Sequence, residues 1–155
     1  LAALEPGLAA AAEPRIGALV TWAAISDVHR HSPEEVAAWR ARGHIDIVNS
    51  RTGQVLPILT DVLDDVLRHG STLLDIRAAA ARLRAPWLIV HGESDVTVPV
   101  AEARALHTAG RDTAELMLVP DAGHTFETVH PWQGPTPAFE AVTDASVAWF
   151  GRHLR

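Results

Sequence analysis

The stretch Pro86-Trp87-Leu88-Ile89-Val90-His91-Gly92-Glu93-Ser94-Asp95-Val96-Thr97-Val98-Pro99 limits the possible folds of this chain more than any other. Trp87 to Val90 offer no polar face, so they do not suit an open sheet with one side in water. Bounded by Pro86 and Gly92, they read as a strand buried on both faces of a parallel sheet. In such sheets the chemistry gathers beyond the carboxyl ends of the strands, and Asp95 falls there. A second apolar run, Leu116-Met117-Leu118-Val119-Pro120, leads into Asp121-Ala122-Gly123-His124-Thr125-Phe126. Asp95 after one buried strand and His124 after the next follow the order in which a nucleophile–acid–histidine triad ends.

The composition removes several alternatives. With 155 residues, 48% of them hydrophobic, one ordinary globular domain is the prior. The net charge is −6 and no basic stripe is present, which argues against nucleic acid as a partner. There is no Cys, so disulfides, zinc thiolates and a cysteine nucleophile are excluded from these residues. No apolar run approaches the ~20 residues of a membrane helix. The chain opens on Leu rather than Met, in an Ala-rich stretch that reads as a helix tail broken at Pro6-Gly7 and ending at Glu13-Pro14. It is therefore read as a fragment, with any targeting signal upstream and the cytoplasm as default compartment.

Taken in order, Ile16 to Ile25 reads as another strand apolar on both faces, with Ser26-Asp27 at its carboxyl end. Residues 27–74 form a polar excursion, expected to be an inserted helical cap. Within it, Ser32-Pro33-Glu34-Glu35 is a capping box for a helix carrying Val36 and Trp39 and ending at Gly43. Ile45 to Val48 and Gln54 to Leu56 form a hairpin around Asn49-Ser50-Arg51-Thr52-Gly53. Thr60 is expected to cap a helix with Val62, Leu63, Val66 and Leu67 at helical spacing, closed by Gly70. Asp75 caps another over Ile76 to Leu83. Pro99 to Ala109 makes a helix ended by Gly110. Thr136-Pro137 opens the last one, with Phe139, Val142, Ser146, Trp149 and Phe150 along one stripe. Buried strands alternating with helices mean an α/β fold with a mostly parallel sheet.

His91-Gly92-x-x-Asp95-x-x-Val98-Pro99 followed by Gly123-His124-x-Phe126 resembles the acid and histidine motifs of the α/β-hydrolase superfamily. The nearest likeness is to dienelactone-hydrolase-like and prolyl-oligopeptidase-like serine hydrolases. Val20-Thr21-Trp22-Ala23-Ala24 resembles the strand that follows the nucleophile helix in that branch. The resemblance takes in residues 1–155 as the carboxyl-terminal part of one such domain. It implies an incomplete fold whose amino-terminal half is missing, and a small ester or short peptide as substrate. No organic cofactor is implied, because the triad and oxyanion hole supply the chemistry.

The residue chemistry gives the same roles. Attack on an ester carbonyl needs an activated oxygen nucleophile, a base, and a group that fixes the base's tautomer. His124 is the base and later the acid; Asp95 is its orienting partner. Singly, Asp95 reads equally well as a turn or capping acid and His124 as a surface histidine. The nucleophile is not evident. No Gly-x-Ser-x-Gly occurs, and no Ser precedes Ser26. Ser26 and Ser94 lie at strand ends, but neither is followed by the Gly-containing entry into a helix that a nucleophile elbow needs. The Ser is expected upstream of Leu1, leaving this chain inactive by itself, with an unpaired sheet edge that seeks a partner. Trp22, Phe126, His130 and Trp132 are candidates for lining a substrate pocket, Trp132 foremost. For Trp22, core packing is the plainer reading. His29-x-His31, with Asp27 or His44, lacks a third ligand fixed by spacing, so no metal site is assigned. The alternative to a hydrolase is a non-catalytic pseudoenzyme or fragment that binds a small apolar ligand or a partner chain.

Overall fold

The computed structural model describes residues 5–49 and 52–154. Leu1 to Leu4 and the Ser50-Arg51 part of the expected hairpin turn lie outside them. The described chain contains α1 (Glu5–Ala12), β1 (Leu19–Trp22), α2 (Pro33–Arg42), β2 (His44–Val48), β3 (Val55–Leu59), α3 (Thr60–His69), α4 (Ile76–Arg82), β4 (Trp87–Gly92), α5 (Val100–Gly110), β5 (Ala114–Val119) and α6 (Pro137–His153). It divides into two compact units: Asp27–Asp75, and the remainder on either side of it.

In the larger unit β4 is the central strand of a three-stranded parallel sheet ordered β1-β4-β5. Leu19 pairs with Trp87 and Trp22 with Val90, while Trp87 pairs with Ala114 and Gly92 with Val119. All six residues of β4 are buried, which is why its sequence carries no polar–apolar alternation. Leu88 and Val90 point to one face, where they join Val119, Ala122, Phe126 and α6's Val142 and Trp149 in a core cluster. Trp87 and Ile89 point to the other, the side of α5, whose Ala103 and Leu106 are buried. The Trp87 indole N–H is satisfied there by Thr21 Oγ1 at 3.0 Å.

Several expected boundaries are corrected. β1 covers Leu19–Trp22 rather than residues 16–25. Its ladder starts opposite Trp87, the first residue of β4, and Ala23 turns the chain away with φ 49° after a last bond to the Val90 carbonyl. Pro6 and Gly7 do not break α1; they lie in its first turn, where a Pro lacks nothing the helix needs. α5 runs through Gly110 and is ended by Arg111, at φ 51°.

The unit Asp27–Asp75 holds an antiparallel pair, β2 and β3, and two helices. α2 starts with the capping box: Ser32 Oγ accepts from Glu35 N at 3.2 Å and Glu35 Oε2 accepts from Ser32 N at 2.8 Å. It ends on Gly43, which takes the left-handed conformation (φ 75°) of a C-cap. Trp39 is buried and donates its indole N–H to the Ile58 carbonyl at 3.0 Å, joining α2 to β3. Thr60 is not the cap of α3. The cap position is Leu59, the last residue of β3, with no side-chain bond, so the strand passes straight into the helix.

Candidate active site

Because the three strands are parallel, β1, β4 and β5 all end at one edge, and the loops leaving β4 and β5 run side by side there. A Cβ on Gly92 would overlap the Ala122 carbonyl and lie 2.7 Å from the Gly123 carbonyl oxygen. Only glycine permits that approach. Beyond the strand ends the backbone pairing continues, Glu93 N donating to Val119 O and Ser94 N to Ala122 O, each at 3.0 Å. The acid loop and the histidine loop are thereby laced together.

Asp95 sits in this seam, 5% exposed. Its Oδ1 accepts from the backbone N–H groups of Thr97 and Val98, both at 2.9 Å. Its Oδ2 lies 2.8 Å from His124 Nδ1. The carboxylate accepts only, so the imidazole carries a proton on Nδ1, and Nε2 lies on the side of the ring away from the acid. The Asp95 side chain is fully buried while that of His124 is 38% exposed. His91, also fully buried, lies behind the acid. Its Nε2 is 2.7 Å from Val98 O and 3.4 Å from Asp95 Oδ2.

The histidine loop is shaped by non-glycine residues in the left-handed region: Asp121 (φ 59°), Phe126 (φ 51°) and Glu127 (φ 63°). Such a cluster persists only where the surroundings over-determine it. Here Glu127 Oε1 accepts from Gly123 N at 2.9 Å. Thr136 Oγ1 donates to Phe126 O at 2.6 Å while accepting from Phe139 N at 3.0 Å, so the cap of α6 also clamps the loop.

The other residues singled out in the sequence fall as follows. Trp22 stands at the end of β1, its indole N–H on Ser146 Oγ at 2.9 Å and its ring edge-on to Phe126 (5.7 Å) and Phe139 (5.8 Å). Trp132 meets Phe139 at 5.5 Å, so Phe126, Trp22, Phe139 and Trp132 form one aromatic row. Phe126 is 3% exposed and acts as core beneath Trp22; Trp22 and Trp132 keep 37% and 58% of their surface open. His130 is exposed on the same loop as Trp132. Ser26 is 1% exposed, and both its N–H and its hydroxyl donate to Glu102 Oε2 at 2.6 Å. The proton a nucleophile would pass to a histidine goes instead to a carboxylate. Arg77 Nη2 donates to the same hydroxyl at 3.3 Å. Ser94 is exposed, beside the acid. His29 Nδ1 pairs with Asp27 Oδ1 at 2.9 Å, and among the described residues no three His, Asp or Glu side chains are grouped to hold a metal ion. No described helix is long and apolar enough to cross a membrane.

Against solved structures, the chain superposes on the esterase domain of a Rhodothermus marinus protein with a TM-score of 0.68, at 17% identity, over 99% of this chain and 58% of that one. The chain has an α/β-hydrolase fold. Est1E from Butyrivibrio proteoclasticus matches with a TM-score of 0.63 at 18% identity, over 97% of this chain and 56% of that one. The monoacylglycerol lipase of Paleococcus ferrophilus gives 0.58 at 19%, over 95% and 65%. The chain thus spans less than two thirds of each of these three α/β-hydrolases and carries that part of the fold. No family model and no curated protein matches the sequence.

Three residues that shape this region carried no role in the sequence: His91, Thr136 as a clamp on the histidine loop, and Glu102, which holds Ser26. His91 carried a signal, being a histidine at the end of a strand with no exposed face. Glu102 carried none, since an acid in the first turn of a helix is an ordinary complement to the helix dipole.

Proposed function

We propose that this chain supplies the acid and the base of a serine hydrolase acting on carboxylic esters, with short peptides as a second substrate class. The observation that carries the reading is the bond from His124 Nδ1 to Asp95 Oδ2 at 2.8 Å, made to an acid whose other oxygen is held by two backbone N–H groups. In this mechanism His124 Nε2 takes the proton of a serine hydroxyl as that oxygen attacks the ester carbonyl. The imidazolium formed is stabilised by buried Asp95 and then protonates the leaving alkoxide. Water, deprotonated by the same nitrogen, releases the acid from the acyl-enzyme.

The nucleophile and the oxyanion hole come from the amino-terminal half of the fold, outside residues 1–155. Two things support this. No Gly-x-Ser-x-Gly occurs here, and the Ser26 hydroxyl is committed to Glu102. The chain alone is then inactive. The branch resembled is that of dienelactone hydrolases and prolyl oligopeptidases, and the row Trp22, Phe139, Trp132 is the apolar wall against which an acyl group would lie. The inserted unit Asp27–Asp75 leaves from the carboxyl end of β1, the sheet edge that carries the catalytic loops, and is read as the cap.

The test is hydrolysis of p-nitrophenyl acetate by the chain alone and by the chain joined to the coding sequence that precedes it. Turnover that appears only in the joined protein and disappears with His124→Ala is the expected result. Turnover by the chain alone that depends on His124 would locate a nucleophile among these residues. No turnover by either, with the joined protein folded, would favour a non-catalytic chain that binds an apolar ligand or a partner.

A further inference from the structure

We infer that His91 is a positioning residue that holds Asp95 in place for His124, an inference that rests on the reading of Asp95 and His124 as an acid–base pair. His91 is fully buried, on the face of β4 shared with Trp87 and Ile89. Its Nδ1 is buried without a protein partner among the described residues. An aliphatic side chain would fill this place without burying an unsatisfied polar atom. What the imidazole adds is at its other nitrogen. Nε2 faces two acceptors, Val98 O at 2.7 Å and Asp95 Oδ2 at 3.4 Å, so a proton sits on Nε2.

The consequence runs through Val98. That residue is gripped at both ends, its N–H by Asp95 Oδ1 at 2.9 Å and its carbonyl by His91. The turn Asp95 to Val98 therefore closes on the strand that precedes it, and the carboxylate cannot rotate without breaking one of these bonds. Asp95 Oδ2 then has one orientation in which to receive His124 Nδ1. His91 touches neither a substrate nor the reacting atoms; it acts through the acid.

The experiment is nitrogen NMR of the full chain with 15N-labelled histidine, comparing the unsubstituted protein with His91→Leu and His91→Gln. In the unsubstituted chain His91 should be protonated on Nε2 alone and His124 on Nδ1. His91→Leu should lose the Nδ1–H form of His124 as the acid is freed. His91→Gln, whose amide N–H reaches the Val98 carbonyl, should restore it. A folded Leu variant, with the Trp22 and Trp87 indole protons unmoved in the proton spectrum, that keeps the His124 Nδ1 proton would overturn the inference. So would a His91 found protonated on Nδ1 or on both nitrogens in the unsubstituted chain, a result that does not depend on any variant folding. Failure of ester hydrolysis counts against the hydrolase reading only, because this measurement reads hydrogen bonds rather than turnover.

Discussion

Gly92 lies flush against the Ala122 carbonyl, so the strand that delivers Asp95 and the loop that delivers His124 meet with no side chain between them. A single methyl group there has nowhere to go, since both neighbours are backbone. Gly92→Ala should force the loops apart, lengthen the Asp95–His124 bond and cost about 1–3 kcal/mol, the usual penalty for overpacking. Urea denaturation measures the loss. A midpoint equal to that of the parent would mean that the two loops are not in contact in solution.

In a protein complete with its nucleophile, Asp95→Asn should lower kcat by about 10⁴-fold while leaving the fold intact. The amide can donate to His124 Nδ1 and so favours the tautomer with its proton on Nε2, where the base is needed. His124→Ala should be at least as damaging. Steady-state ester hydrolysis reads both. A loss below tenfold for either variant would remove that residue from the mechanism.

Ser146 sits on α6 with its hydroxyl donating to Val142 O at 2.7 Å and accepting the Trp22 indole N–H at 2.9 Å. Ser146→Ala should destabilise the chain by about 1 kcal/mol, the net worth of one such bond. Trp22 is partly open to water, which limits the loss. Trp22→Phe removes the same donor, so the double variant should cost little more than the larger single effect. Additive losses would show that the two side chains act independently.

The capping box at α2 makes a prediction for the inserted unit alone. Ser32→Ala should cost about 1 kcal/mol and fray the first turn, whereas Ser32→Asp should be nearly neutral. Amide hydrogen exchange at Glu35, whose N–H bonds Ser32 Oγ, localises the effect. Unchanged protection in the Ala variant would mean that water replaces the cap without loss.

How much of this was legible beforehand depends on how local the cause is. The capping box at Ser32, the Gly43 stop and the Thr136 cap involve residues a few positions apart, and each appears where the sequence put it. The strand β4 was legible because burial on both faces leaves a continuous apolar run. The ends of β1 were not, because a strand stops where its partner stops, and that partner begins at Trp87. Phe126 belonged to an aromatic group visible in the sequence. Its place in the core beneath Trp22 follows from the left-handed turn of its own loop, which no residue spacing reveals. The pairing of His91 with Val98 lay within one motif, yet its meaning needed the distances.

Ser26 and Arg77, on either side of the inserted unit, are in hydrogen-bond contact. The chain therefore leaves the sheet and comes back to the point of departure before continuing into β4. An excursion whose two ends meet makes only a local demand on the connection from β1 to β4. Its length enters the entropy of joining β1 to β4 only logarithmically, at about 0.6 kcal/mol for each doubling. Lengthening or pruning the chain between Asp27 and Asp75 should accordingly add little to the cost of joining β1 to β4.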